Sequence, residues 1–163
     1  MGQVVSQGEL ILRRSEWKRN GRKVVCASGS FDLLHPGHIR LLEQARSLGD
    51  FLVVAVQGDA SVREQFSDAP EAVRPVTPAA ERMEIVAALA AVDFVIPFDE
   101  PSPHPFLLRF LPDVFVEGSS GAQREFGLHQ RELEAMGCKI VHFPLEPGYS
   151  TAQLIERIAN LPT

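Results

Sequence analysis

The sequence predicts an α/β domain built on a mainly parallel sheet. Three observations carry that expectation. The chain has 163 residues, the usual size of one domain. Short β-rich runs alternate with stretches of helical periodicity along most of its length. Capping residues mark several borders between the two kinds of segment. The composition agrees: 45% hydrophobic and 23% charged residues exclude wholesale disorder, collagen and coiled coil.

Taken in order, residues 9–20 read as a helix outside the repeating pattern, packed down by Trp17. The first strand covers 24–27. Residues 38–48 place Ile39, Leu42, Ala45 and Arg46 at roughly helical intervals, and Gly49 stops that helix. The second strand is Phe51–Gln57. Residues 65–75 have no period and hold Ser67, Asp68 and two prolines, so they read as a mobile loop. Thr77 and Pro78 then read as N-cap and first helical residue. The helix over 81–91 carries Met83, Val86, Ala87 and Ala90. Strands follow at 94–97, 114–117 and Lys139–Phe143, with a helix over 123–136 that Gly137 ends. Ser150 and Gln153 form a capping box for a last helix, Thr151–Ala159.

Charge and ends narrow the function. Lys+Arg is 16 against Asp+Glu 21, a net charge of −5, which argues against a nucleic-acid partner. No apolar run reaches the ~20 residues of a membrane span. The start lacks the order of a secretory signal. Met1-Gly2 with Ser6 fits a myristoylation template, but no second anchoring signal accompanies it, so the match reads as coincidence. Cys26 and Cys138 lie far apart in apolar segments and read as reduced, buried thiols of a cytoplasmic protein.

Residues 24–38, VVCASGSFDLLHPGH, carry the chemistry. A strand ends, a Gly-containing turn follows, and a helix starts near Pro36 or Gly37. Ligands of open parallel sheets bind beyond the carboxyl ends of the strands. A helix start offers unpaired N–H groups and a positive dipole end, which suits phosphate. Gly29 lets the backbone approach a ligand closely. His35 and His38 are three apart at the helix start, so both can point at an anion. The bland alternative is a plain turn with two surface histidines. A metal site would need further ligands, and no Cys/His cluster stands out in the sequence to supply them.

GSFDLLHPGH resembles the signature of the cytidylyltransferase-like nucleotidyltransferases, with His35, Pro36, Gly37 and His38 as the HxGH box. The likeness runs from about Lys23 to the end, through LLEQARSLGDFLVVAVQGDAS, RPVTPAAERMEIVAALAAVDFVI and GYSTAQLI. It is greatest to adenylyltransferase domains of the ADP-heptose synthase type, and next to glycerol-3-phosphate cytidylyltransferases. The resemblance implies a Rossmann-like (HUP-type) three-layer domain with a five-stranded parallel sheet, over residues 23–163. Residues 1–22 would be an N-terminal helical extension, and the assembly a homodimer.

The resemblance also implies a reaction. A sugar-phosphate oxygen attacks the α-phosphorus of a nucleoside triphosphate, ATP in the favoured reading, and pyrophosphate leaves. His35 and His38 would hold the triphosphate and the transition state, and Arg82 would reach the phosphates. Gly29, Ser30, Phe31 and Gly37 would contact the nucleotide; Ser150 and Thr151 would bind phosphate at a helix start. Mg²⁺ would travel mainly on the phosphates. Asp59, Arg63, Glu117 and Gly118 complete the implied binding set.

The chain departs from the family pattern in places. Its only lysines are Lys18, Lys23 and Lys139, so the usual lysine after the second strand is absent, with Arg63 or Arg74 as substitutes. Residues 117–121 read EGSSG where heptose-type enzymes carry Lys-Gly-Gly-Asp-Tyr. Gln57, Gly58 and Asp59 keep only the last residue of the usual Asn-Ser-Asp. Leu145 stands where cytidylyltransferases have arginine, which favours the adenylyl branch. The alternatives are a cytidylyltransferase for glycerol 3-phosphate or a similar polyol phosphate, and a non-catalytic nucleotide-binding homologue. Elsewhere Asp32 reads as a hydrogen-bonding residue of the turn. His104 and His129 read as surface residues and His142 as structural. Glu125, Arg131, Glu132 and Glu134 read as a solvated helix face.

Overall fold

A computed structural model describes residues 1–67, 74–118, 123–144 and 146–162, with only the backbone of 118 and 123–128. Six parallel strands form one sheet: β1 (Gln3–Val4), β2 (Val24–Gly29), β3 (Phe51–Gln57), β4 (Phe94–Phe98), β5 (Val114–Gly118) and β6 (Lys139–Phe143). Their spatial order is β1-β4-β3-β2-β5-β6. The helices are α1 (Gln7–Arg19), α2 (Pro36–Arg46), α3 (Asp59–Gln65), α4 (Ala79–Ala87), α5 (His104–Phe110), α6 (Gln123–Ala135) and α7 (Thr151–Ala159). The α/β class and the Rossmann-like parallel sheet are as expected.

The sheet has six strands, not the five expected. The extra one is β1, at the edge, where Gln3 and Val4 pair with Phe94 and Val95. Two residues are too few to show an alternating pattern. Main-chain bonds from Gln3 N to Asp93 O and Val5 N to Val95 O, both 2.9 Å, hold the strand. Gly2 is fixed beside it: a Cβ there would meet Val92 O at 2.7 Å. The glycine of the myristoylation-like match therefore has a packing reason of its own. Two short helices also depart from the sequence reading. Residues 59–65, given no helix by the sequence, form α3, and α5 was not anticipated; each has only seven residues, too few for a visible period. Most of the loop expected over 65–75, namely 68–73, lies outside the described residues.

Side chains alternate across the strands and build a core on each face of the sheet. Val24, Cys26, Val53, Ala55, Phe94, Ile96 and Phe115 face Leu10 of α1, Phe106 and Phe110 of α5, and Leu133 of α6. Val25, Ala27, Leu52, Val54, Val56 and Val95 face Leu42 and Ala45 of α2 and Val86 of α4. Cover on both faces explains why β2 and β3 read as nearly unbroken apolar runs. Trp17 on α1 packs against Phe51 and Phe94, with ring centroids 4.8 and 5.2 Å apart. Cys26 and Cys138 are free and buried. None of the described helices is long and apolar enough to cross a membrane.

Candidate active site

Beyond the carboxyl ends of the strands lies a cavity of about 440 Å³. Its wall comes from the β2–α2 turn, the end of α3 with Arg74, the β4–α5 connection, the end of β5, His129 of α6, and the β6–α7 connection. The parallel topology brings these together, since every strand delivers its following loop to the same edge.

The β2–α2 turn is the most constrained part. Phe31 takes φ 47°, the left-handed region that a bulky side chain seldom adopts. Its ring is buried and lies 5.4 Å from that of His38. Asp32 ties the turn to the segment before α4. Its carboxylate accepts from Val76 N (2.8 Å), Thr77 N (2.9 Å) and Arg74 Nε (2.6 Å). This is the hydrogen-bonding role read from the sequence. His35 is the N-cap of α2 in extended conformation, and Pro36 fills the first helical position.

His35 and His38 stack, with centroids 3.8 Å apart and planes 21° from parallel. Gly37 permits this fit: a Cβ there would stand 3.0 Å from His35 Nδ1. Both Nδ1 atoms are buried without a partner. Burial, and next the neighbouring His35, push the His38 ring down to about 4 from 6.5. Burial also lowers His35. Both rings are therefore neutral at pH 7, and both line the cavity. A half-buried, neutral pair that lines the cavity at a helix start is suited to an incoming anion that can accept hydrogen bonds or share a proton.

The remaining expected residues divide. Gly29, Ser30, Phe31, Gly37, Glu117, Ser150 and Thr151 line the cavity with the two histidines. Ser150 caps α7 and accepts from Gln153 N at 3.1 Å, so its hydroxyl hydrogen stays available. Thr151 donates to Leu33 O at 3.4 Å. Gly118 ends β5 in register with Phe143. Arg63 is exposed on α3 and is not part of the wall; Arg74 is. The Arg74 guanidinium lies 4.6 Å over the Phe66 ring and is bound to Asp32.

Arg82, expected at the phosphates, is instead buried behind the wall. Its donors go to Thr77 O (2.8 Å), Gln57 O (2.7 Å), Ser30 O and Asp59 Oδ1 (2.6 Å). Every one of these partners belongs to a segment bordering the cavity. The side chain is fully enclosed, so its guanidinium braces the ends of β2 and β3 from below. Asp59 is thereby committed to Arg82 and does not line the cavity.

Three features were not read from the sequence. Glu117 points into the cavity with His142 Nδ1 3.0 Å from its Oε2. Burial raises the Glu117 carboxyl and the histidine pulls it back down. Glu146 bonds Arg40 of α2, and the Arg40 guanidinium lies 5.5 Å over the Tyr149 ring, latching the β6–α7 connection to α2. His129 of α6 lines the cavity although it was read as a surface residue. No local pattern marks these contacts; each joins residues remote in sequence. Residues 119–121 of the altered EGSSG segment, and Leu145, lie outside the described residues.

Comparison with known proteins agrees with this geometry. The chain is 42% identical to the bifunctional protein HldE of Koribacter versatilis, over 94% of its own length and 31% of that relative. It is 38% identical to HldE of Alkalilimnicola ehrlichii, over 98% of this chain and 32% of the relative. The chain thus spans about a third of the length of these curated relatives. Among solved structures, a lipopolysaccharide core biosynthesis protein from Thermoplasma volcanium matches 77% of this chain and 98% of its own, with 28% identity and TM-score 0.63. A pantoate-beta-alanine ligase from Francisella tularensis shares the fold alone, at 15% identity and TM-score 0.63 over 100% of this chain and 74% of the ligase. The family model described as cytidylyltransferase-like matches residues 26–157, which takes in every wall segment of the cavity, and the chain belongs to that nucleotidyltransferase family.

Proposed function

We propose that the chain is an adenylyltransferase. It moves AMP from ATP to a sugar phosphate of the D-glycero-β-D-manno-heptose 1-phosphate type. An oxygen of the sugar phosphate forms a bond to the α-phosphorus, the bond from that phosphorus to the bridging oxygen breaks, and pyrophosphate leaves. The observation that carries the reading is the stacked, neutral His35–His38 pair at the start of α2, lining the cavity with two nitrogens unpartnered. Such transfer needs in-line placement and donors around crowded phosphates more than covalent help. In this reading the two imidazoles grip the triphosphate and the charge that builds up on the transferring group. Ser150, Thr151 and the start of α7 bind a second phosphate.

The wall carboxylates Glu117 and Glu146 are engaged with His142 and Arg40. The described residues therefore fit a Mg²⁺ ion that arrives on the nucleotide phosphates, not one caged by protein. Bound there, Mg²⁺ would neutralise phosphate charge. The homodimer implied by the resemblance belongs to the same reading; light scattering on the purified chain tests it.

Pyrophosphate release with ATP or CTP and a panel of sugar and polyol phosphates tests the reaction. Release with ATP and a heptose 1-phosphate is expected. Release only with CTP and a polyol phosphate would move the chain to the cytidylyl branch. Nucleotide binding without release for any pair would make it a binding homologue. One observation favours that second reading: the only Lys or Arg among the described wall residues is Arg74, already paired with Asp32.

A further inference from the structure

We propose that His104, His129 and Glu132 form a site for one divalent transition-metal ion of the zinc type, on the rim of the cavity. His104 is the first residue of α5. His129 and Glu132 are three apart on α6 and so share a face of that helix. One ligand atom from each residue lies within 4.8 Å of the other two. His104 Nε2 is 3.0 Å from Glu132 Oε2, close enough for one ion to bind both.

A second observation points the same way. His104 is 7% exposed, and its Nδ1 is buried with no hydrogen-bond partner. Burial holds the ring with Nε2 turned to Glu132, the nitrogen that an ion shared with that carboxylate would use.

The donor set selects the ion. Two imidazoles and a carboxylate suit zinc and its neighbours in the first transition series, whereas Mg²⁺ prefers oxygen ligands alone. Three protein ligands leave a coordination position open for water or an oxyanion. Ser102, Pro103 and His129 line the cavity, so the open position adjoins the space where the proposed reaction puts phosphates. The described wall offers no unpaired Lys or Arg, and a bound dication would bring positive charge to it.

Ligation asks for one rearrangement. The rings of His104 and His129 stack at 3.9 Å with planes 27° apart, and binding one ion requires their lone pairs to converge. His129 is partly exposed on α6 and can turn; Glu132, with its side chain 53% exposed, can follow.

The test uses the whole chain, stripped with chelator and titrated with Co²⁺ and Zn²⁺ in the absence of nucleotide. Visible absorption of Co²⁺ reports ligand number, and elemental analysis reports stoichiometry. One equivalent is expected, with affinity lowered at least about tenfold in His129→Ala and in Glu132→Ala. Glu132 is exposed and His129 partly exposed, so these variants keep the fold, which circular dichroism checks. His35→Ala/His38→Ala is expected to keep the equivalent. Absence of stoichiometric binding would overturn the site. So would binding that survives His129→Ala/Glu132→Ala or is lost in His35→Ala/His38→Ala, since either outcome puts the metal elsewhere.

Discussion

Two pairs of stacked imidazoles have nearly the same geometry and different surroundings. His35 and His38 are 3.8 Å apart between centroids, His104 and His129 3.9 Å. The first pair stands at the start of α2, and neither ring has a carboxylate partner among the described residues. The second has Glu132 hydrogen-bonded to His104. A helix start calls for an anion and a carboxylate for a cation, so the neighbours, not the rings, decide what each pair binds. The supports differ too. Arg82 and Asp32 together fix the turn that carries the first pair with seven hydrogen bonds. The second pair spans α5 and α6, with a half-exposed glutamate.

Removing the support is expected to have the largest effect. Arg82→Met takes a buried guanidinium from four acceptors, among them Ser30 O and Gln57 O at the ends of β2 and β3. It should cost about 3 kcal/mol or more of unfolding free energy in a denaturant melt, together with most of the turnover. A loss under about 1 kcal/mol would mean that the turn stands without its brace. Next comes the pair itself. His38→Ala is expected to lower kcat/KM for pyrophosphate release by about 10²–10³ while the melt shows a folded protein. An unchanged rate would remove the first pair from the chemistry and leave the two pairs alike.

A third, smaller effect reads the burial of His38 directly. Its folded value is depressed to about 4 from 6.5, so between those pH values the unfolded chain binds more protons than the folded one. Stability present above pH 6.5 is therefore lost as the pH falls through that window. For His38 the loss amounts to at most about 3 kcal/mol, less where solvent reaches the ring. Denaturant melts at the two ends of the window should show a smaller acid loss in His38→Ala than in the parent chain. Equal losses would show that burial does not hold the ring neutral.

The two pairs also show how far the sequence could be read. The first was legible because its determinants are local: a strand, a Gly-containing turn, and Pro36 between two histidines three apart. Arg82 was legible as a residue of the site but not in its role. Only the packing of α4 beneath the ends of β2 and β3 turns its guanidinium from the cavity to the backbone. His104 read as a surface residue because seven-residue α5 has no visible period, yet its ring is buried. The partnership of His104 with His129 and Glu132 spans α5 and α6, and no spacing announces it. β1 escaped for the related reason that two residues carry no alternation. Local pattern located elements and the first site; contacts between distant segments fixed what individual side chains do there.

The smallest effect is a difference in sign. Triphosphate placed against the first pair stabilises the imidazolium form, so binding raises the depressed His38 value and takes up a proton. Below pH 6.5, affinity for a nonhydrolysable ATP analogue should therefore rise as the pH falls, by at most about tenfold per pH unit for each proton taken up. At the second pair the direction reverses, because a metal ion and a proton compete for the same imidazole lone pairs, so Co²⁺ binding takes up no proton. Calorimetry in two buffers of different ionisation enthalpy measures the proton count for each ligand. Uptake with the nucleotide and no uptake with the metal would separate the pairs as an anion site and a cation site. The same sign for both would mean that the surrounding carboxylate and helix start do not set their chemistry.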